Sequence, residues 1–514
     1  MLVCLTGATG NMGQSVLKEL LSYDKIDRIR LFILTDDPLY NRVKGLINKN
    51  KNRISIVHGN LGNKEDVRRF LFGADYVINL AAVIPPKSDK NPKAAIECNE
   101  IGVKNIVNVM EDMTPQPKLI HTSSVALYGN RNENHPFGMV GDPLLVSPFD
   151  IYSVTKLRGE LYVLESNIRY YAILRQSAML HKYMLMDNIS DGLMFHTCFN
   201  SPLEWVTQED SGVLIKNIIK RDIEENDLDK IFWRRVFNIG AKKENRITGY
   251  TTLSDGFKLM GGNTKKMFKP DFNATRNFHG MWFYDGDKLE ELFHYQKDTC
   301  KDYWARMKKR YWYYTFGRII PAKLISKLVI QRLFKDNNSI KYWYNHKDDA
   351  RIFASFGGYK EYEKIGKDWN NFYLLDENKK SNGDFISFED LREKRNAKLI
   401  DYGYDIKKDI YTLDEADFKN IAKLHGGEMV SPFEGLFIPA LFKNSDGIEF
   451  MMKPYSILAG HWMNITYREY KWDFDRLAKK DKIYASIWYD SHKVDEDKLY
   501  SMDLKFNSFM EDIK

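Results

Sequence analysis

The sequence predicts an α/β fold whose N-terminal part is a doubly wound parallel sheet, and three observations predict it. A glycine-rich turn, Thr6-Gly7-Ala8-Thr9-Gly10-Asn11-Met12-Gly13, stands between an apolar strand and a helix-like run. Strand-like and helix-like segments then alternate as far as Ser124. Small or hydroxyl-bearing residues follow the strands at their C-terminal ends, where open parallel sheets bind ligands.

Each element has its own justification. Met1–Leu5 reads as a buried strand, and Val16, Leu17, Leu20 and Leu21 fall at helical spacing after the turn. Glycine permits the tight turn and lets the backbone approach a pyrophosphate, while the helix N-terminus offers unpaired N–H groups to the anion. The spacing is Gly-x-x-Gly-x-x-Gly, one residue longer than the usual dinucleotide fingerprint. Residues 31–34 form a second strand, ended by Thr35-Asp36-Asp37-Pro38. An acid at such a strand tip accepts hydrogen bonds from ribose hydroxyls and repels a 2′-phosphate. Asp36 is the candidate, favouring NAD, and Arg42 downstream offers a phosphate contact that keeps NADP open. Residues 54–57 form a third strand, followed by Gly59-Asn60-Leu61, and residues 66–72 a helix. Residues 76–80 form a fourth strand running into Ala81 and Ala82, whose small side chains admit a flat ligand. Residues 97–110 form a helix carrying Asn99, and residues 119–122 a fifth strand capped by Ser123-Ser124.

Tyr152-Ser-Val-Thr-Lys156 supplies the chemistry. Four residues apart on a helix, Tyr152 and Lys156 share a face. An ammonium there favours phenolate, so the tyrosine pKa is expected to fall toward working pH. Ser124, at a strand end upstream, can hold a substrate oxygen while Tyr152 moves the proton.

With these residues in hand the chain resembles an extended short-chain dehydrogenase/reductase, the group containing NAD-dependent epimerases and dehydratases. The matching pieces include Thr6–Gly13, Gly59-Asn60-Leu61, Leu80-Ala81-Ala82, Asn99 with Gly102, and Ser123-Ser124 with Tyr128-Gly129. Tyr152-x-x-x-Lys156, Leu174-Arg175, residues 205–210 and Phe237-Asn-Ile-Gly240 complete them in family order, over about residues 1–300. The resemblance implies a Rossmann-type core with a small substrate lobe over about 177–300. It implies Tyr152 as acid/base, Lys156 as the group that tunes it and holds the nicotinamide ribose, and Ser124 as the catalytic serine. Gly7, Gly10 and Gly13 would form the pyrophosphate turn with Thr9, Asn11 and Met12 between them. Asn60 and Leu61 would lie by the adenine, although the family usually has aspartate before that leucine. Ala81 and Ala82 would line the cofactor and Asn99 would brace the strand ends. A homodimer through helices that include the Tyr152 helix is implied as well.

Departures from the family pattern sharpen the reading. Val125-Ala126 follow Ser124 where sugar-nucleotide dehydratases of the family usually carry Asp-Glu, which disfavours water loss. Arg175-Gln176 replaces the usual Arg-Pro. Between Ser177 and Asn200 lie Met179, Met184, Met186, Met194, Phe195, His181 and His196, suited either to a partly apolar substrate or to the lobe's own core. His181 and Asn188 are carried as substrate contacts, with Arg276 and His279 further candidates. The two histidines of this stretch read as packing groups rather than metal ligands, and no metal is expected.

Composition fits a globular chain: 514 residues, 43% hydrophobic and 29% charged, with a net charge of +7 that does not by itself imply nucleic acid. Four well-separated cysteines read as free thiols, and no signal peptide or long apolar run is apparent, so a cytoplasmic protein without a membrane span is expected.

The second half divides into a helical, aromatic and basic region over 301–385 and a small α+β module over 386–514. Residues 319–334 read as one amphipathic helix opened by Pro321, its apolar face formed by Leu324, Ile325, Leu328 and Leu333. Such a basic helix can lie on a membrane, its aromatics can stack on bases, or it packs on the enzyme domain or a twin subunit, the reading favoured here. Residues 376–384 read as a linker, and residues 388–399 and 413–424 as helices, the second ended by Gly426-Gly427. Residues 443–466 weakly resemble a zinc ribbon, but Met463 and Thr466 replace its cysteines. The sequence thus points to an NAD(P)-dependent oxidoreductase or epimerase acting on a small molecule at a secondary alcohol or ketone. A catalytically silent dinucleotide-binding scaffold is the alternative, and no nucleic acid partner is expected.

Overall fold

The computed structural model describes all residues except 189–190, 260, 376–389, 392–396, 398, 464–469, 503 and 505–514. Seven strands form one parallel sheet: β1 (Leu2–Thr6), β2 (Arg28–Ile33), β3 (Ile54–His58), β4 (Tyr76–Asn79), β5 (Lys118–Ser124), β6 (Tyr171–Gln176) and β7 (Arg235–Ile239). Their order is β3-β2-β1-β4-β5-β6-β7. Winding therefore reverses between β1 and β4, and Thr6 there pairs with Asn79. The expected strands are all present, with bounds shifted by one to three residues. The expected helix over 97–110 splits into a π turn, Glu97–Ile101, and an α-helix, Gly102–Glu111.

Apolar clusters cover both faces of the sheet. One joins Val3, Leu5 and Ile78 to α1 (Asn11–Leu21) and, across the chain, to Ile215 and Ile219 of a helix at Gln208–Glu224. The other joins Val77 and Leu119 to Val154 and Leu161 of α2 (Ile151–Leu164), then continues into Phe442, Trp462 and Trp488. The C-terminal module thus shares its core with the sheet domain. A three-stranded sheet at Ala178–Leu180, Pro202–Thr207 and Arg246–Thr248 builds the small lobe.

In the second half, Asp414 caps the helix Glu415–Leu424, whose exit turns at Gly426 with φ +70. An antiparallel sheet, Glu428–Met429 with Ala440–Lys443 and Glu449–Met452, follows, the last two strands joined through Gly447 at φ +78. The linker expected at 376–384 lies outside the described residues, as does most of the helix expected at 388–399 and Thr466 of the zinc-ribbon comparison. The single helix expected over 319–334 is corrected. The chain forms 3-10 turns at Trp312–Ile319, one α turn at Ala322–Ile325, a π turn at Ser326–Ile330 and 3-10 turns at Gln331–Lys335. Its inward face is Ser326, Ile330 and Leu333, while Leu324 and Leu328 point outward. No helix among the described residues is long and apolar enough to cross a membrane.

Candidate active site

The glycine turn depends on two positions, Gly7 and Gly13, that leave no room for a side chain, and on a third, Gly10, where one would be tight. Gly7 has φ +68, and a Cβ there would sit 2.8 Å from the Ala81 nitrogen. A Cβ on Gly13 would lie 2.0 Å from the Gly7 carbonyl, and one on Gly10 would lie 3.2 Å from it. The Gly10 N–H donates to the Gly7 carbonyl at 3.0 Å and closes the turn. Helix α1 then begins without a side-chain cap and without an acid in its first turn, and Asn11, Met12 and Gly13 carry its opening N–H groups. A bare helix N-terminus beside backbone-only walls suits a diphosphate. Thr6 ties this turn to the next strand: its hydroxyl donates to Asn79 at 2.7 Å and accepts from Leu80 and Ala81.

The strand-tip acid facing the turn is Asp37, not the expected Asp36. Thr9 donates to the Asp37 carboxylate at 2.8 Å, and the Leu39 N–H caps its other oxygen. Asp36 is exposed. Arg42 reaches back to the glycine turn, donating to Asn11 at 3.2 Å and lying over the Tyr183 ring at 4.1 Å. Lys182 donates to Gln14 of α1 at 2.7 Å. Residues 182–183 thus lie over the turn, a placement no local sequence signal announces.

Leu61 is buried, and Asn60 is exposed with its own turn closed by Gly62 and Asp66. Asn99 grips the chain after β4 from both sides, accepting from the Val83 N–H at 2.8 Å and donating to its carbonyl at 3.0 Å. Its amide also donates to Thr155 of α2 at 3.1 Å. The π turn at Glu97–Ile101 aims this side chain inward. Ala81 and Ala82 are half-buried between β4 and the Asn99 brace.

Ser124, Tyr152 and Lys156 come together at the end of β5. Ser124 caps a 3-10 turn by accepting from the Ala126 N–H. Burial pushes the Tyr152 phenol up to about 12; the neighbouring Ser124 hydroxyl draws it down, and the Asp150 charge adds to the rise. The expected fall therefore does not occur in this structure. Lys156 spends its ammonium on the Thr122 carbonyl, 2.5 Å away, rather than on the phenol, and burial lowers it to about 8. Asp150 was missed from sequence, although an acid two residues before the tyrosine is a helix-cap signal. It caps α2 through the Ser153 N–H at 3.0 Å and the Ser153 hydroxyl, and its other neighbour is His279 at 3.5 Å. Burial alone would raise the Asp150 carboxyl, but His279 and Ser153 hold it below the ordinary range.

A cavity of about 460 Å³ lies near the start of α2, where Arg351 of its wall stands over the Phe149 ring at 5.0 Å, and none of Ser124, Tyr152 and Lys156 lines it. Asp89 and Lys90 line it from the sheet domain, and Asn338, Trp343, Asp348 and Arg351 line it from the second half. Burial, then the charge of Asp150, lifts Asp89 to about 7. The half of the chain without recognisable motifs therefore supplies the cavity's far wall.

Other expected substrate contacts are redistributed. His181 lies under Arg42, lowered to about 4 by burial and then by that cation, and its carbonyl accepts from Tyr303 at 3.0 Å. His196 donates toward or accepts from the Asn338 carbonyl at 2.6 Å; only donation fits a carbonyl partner, so its Nε2 carries the proton. Asn188 ends a short helix, Met184–Asn188, and its side chain lies outside the described residues. Met194 and Phe195 belong to the lobe's core, which removes them from a substrate wall. Arg276 is a buried clamp, held by Glu496 at 2.7 Å and by the carbonyls of Phe353 and Ser491. Among the described residues no group of three His, Cys, Asp or Glu is placed to hold a metal, and all four cysteines are free.

The helix through which the resemblance implies pairing has its outer face covered. Every α2 residue except Tyr152 is buried, and Leu157 and Leu161 face Met452, Trp462 and Tyr484 of the C-terminal module. A buried network fastens that contact. Arg175 donates to Glu160 of α2 at 2.5 Å, to the Ala459 carbonyl at 2.6 Å and to the Tyr128 hydroxyl at 2.7 Å. His461 meets Glu160 at 2.9 Å. Although burial opposes it, the Arg175 charge holds Glu160 far below the usual carboxylate range.

Comparison with known proteins bears on the same region. Residues 3–180 match the model of the NAD dependent epimerase/dehydratase family. The 3 beta-hydroxysteroid dehydrogenase/Delta 5-->4-isomerase of Monkeypox virus is 26% identical over 166 residues, 32% of this chain and 45% of that protein. UDP-glucuronate 4-epimerase 1 of Arabidopsis thaliana is 27% identical over 162 residues, 31% of this chain and 37% of that protein. These matches span less than half the length of those relatives. Among solved structures, a double mutant of dTDP-glucose 4,6-dehydratase from Streptomyces venezuelae aligns over 60% of this chain and 97% of its own, at 18% identity and a TM-score of 0.48.

Proposed function

We propose that this chain, whose residues 3–180 match the model of the NAD dependent epimerase/dehydratase family, is an NAD-dependent oxidoreductase or epimerase acting at a secondary alcohol or ketone. The observation that carries the reading is the hydrogen bond from the buried Lys156 to the Thr122 carbonyl, which sets the helix of Tyr152 against the strand end that bears Ser124. That the relatives named above include a dehydrogenase and an epimerase supports the same reaction class.

The glycine turn, the uncapped start of α1 and the Asp37 carboxylate fit a dinucleotide. Gly7, Gly10 and Gly13 would hold its diphosphate, with Asn11 and Met12 at the helix start, and Asp37 its adenosine ribose. Ala81, Ala82 and Asn99 would border the rest, and a bound nicotinamide supplies the site that takes or gives a hydride. Ser124 orients the substrate oxygen through its hydroxyl. Tyr152 holds the proton at its phenol oxygen and exchanges it with that substrate oxygen. Lys156, one helical turn further on the same face, supplies the positive charge that lowers the phenol when it leaves the Thr122 carbonyl. Asp150 and His279 fix the start of α2, and so the direction of the phenol.

The test is Tyr152→Phe in the full chain. Loss of substrate-dependent turnover with dinucleotide binding retained supports the reading. Unchanged biological activity would instead make the chain a dinucleotide-binding scaffold. Net release of NADH on adding substrate marks a dehydrogenase; its absence during substrate interconversion marks an epimerase.

A further inference from the structure

Between Tyr303 and Lys335 the chain carries nine Lys and Arg and no Asp or Glu. The net charge of the whole chain is +7, so setting aside this window's +9 leaves −2 for everything else. The protein's excess of positive charge is thus confined to one short stretch.

That stretch is also where apolar surface is left open. Trp312 is 62% exposed, and Tyr313 and Phe316 stand exposed beside it. Ile319 follows at 76% and Leu328 at 60%, with Ile320 and Leu324 exposed between them. Ile320, Leu324 and Leu328 recur every fourth residue, which stacks them along one side of a helical path. Elsewhere exposed large apolar residues are scattered, as at Phe72 or Val494. Cations edge the open side: Lys308, Lys309 and Arg310 before it, Lys323 and Lys327 within it, Arg332 and Lys335 after it. All are exposed, and among the described residues none of these seven has a carboxylate within ion-pair distance.

The opposite side is fixed to the protein. Tyr311 donates to the Lys182 carbonyl at 2.9 Å, Ser326 donates to the Met267 carbonyl at 2.6 Å, and Ile330 and Leu333 enter the lobe's core. The open side is therefore presented by an anchored element.

We propose that residues 308–335 form a docking surface for an anionic lipid bilayer, with the aromatic and aliphatic side chains entering the interface and the lysines and arginines meeting headgroup charge. Trp and Tyr suit the headgroup level, and Ile and Leu suit the acyl boundary beneath it. Nucleic acid accounts for the cations and aromatics but gives Ile319, Ile320, Leu324 and Leu328 nothing to stack on. A two-fold copy would bring this concentrated positive charge against itself. The surface borders residues 182–186 of the substrate lobe, so docking would set the lobe at the membrane.

The experiment is flotation of the full-length protein with vesicles of phosphatidylcholine, with and without about 30% phosphatidylserine, at about 0.05 M and 0.5 M salt. Retention on the phosphatidylserine vesicles at low salt is expected, falling about tenfold or more at high salt or without the anionic lipid. The variant Ile319→Ser with Leu328→Ser is expected to lose about tenfold in retention while keeping the parent melting temperature and dinucleotide affinity. No retention on anionic vesicles at low salt overturns the proposal, and so does a double variant that binds them like the parent. Preference for a single-stranded oligonucleotide, or a dimer abolished by the double variant, overturns it in favour of that other occupant. None of these readouts depends on turnover, so failure here leaves the Tyr152 reading standing.

Discussion

Helix α2 and the stretch 303–335 are both rich in aromatic and aliphatic residues, yet the protein treats them oppositely. Around α2 the sheet, the Asn99 turn and the C-terminal module close every side but that of Tyr152, and its charged residues find buried partners. The stretch 303–335 is covered on one side only, and most of its cations have no partner among the described residues. A proton-transfer site gains from exclusion of water, which strengthens each nearby charge; a docking surface must keep its apolar side chains and charges available. The second half of the chain thus covers α2 with one module and leaves an open face on another.

The sharpest way to break this contrast is at the half-buried first turn of the sealed helix. Tyr152→Phe is expected to lower turnover about 10²- to 10⁴-fold while changing dinucleotide affinity little, as read by steady-state rates and a binding titration. A rate within a few-fold of the parent would remove α2 from catalysis.

The seal is tested next. Arg175→Met leaves Glu160 buried without its strongest partner and is expected to cost about 3–5 kcal/mol in urea unfolding. Lys419→Met, which breaks an exposed pair with Glu415, should cost less than about 1 kcal/mol. Equal effects would show that the C-terminal module contributes no seal.

Lys156 offers a test of opposite sign. Its pKa is about 8 when folded, against an ordinary value of 10.5. The unfolded chain therefore binds more protons between those values, and the stability of the parent should rise with pH across that window. Below it the buried charge costs about 3 kcal/mol, so Lys156→Met should be inactive yet more stable at neutral pH, with the advantage fading by about pH 10.5. Thermal melts of both proteins from pH 7 to 10.5 would check it, and a less stable Met variant at pH 7 would refute it.

The smallest expected effect separates the two strand-tip acids. Asp37→Ala should narrow the preference for NAD over NADP about tenfold, while Asp36→Ala should leave it unchanged, as measured by titration with each dinucleotide.

What the sequence by itself determined is what short-range geometry dictates. A turn that excludes a Cβ at two places demands Gly7 and Gly13, alternating apolar runs demand the parallel sheet, and four-residue spacing sets Tyr152 and Lys156 on one face. Tertiary structure alone decided the rest, because the deciding partners are distant in the chain. It turned Asp37 rather than Asp36 toward Thr9, tied Lys156 to Thr122, sank Met194 and Phe195 into the lobe, and brought Arg351 to the cavity wall. It also chose which side of residues 322–335 faces water, since a run apolar at nearly every turn has no preferred inner side until Met267 and the lobe pack against it.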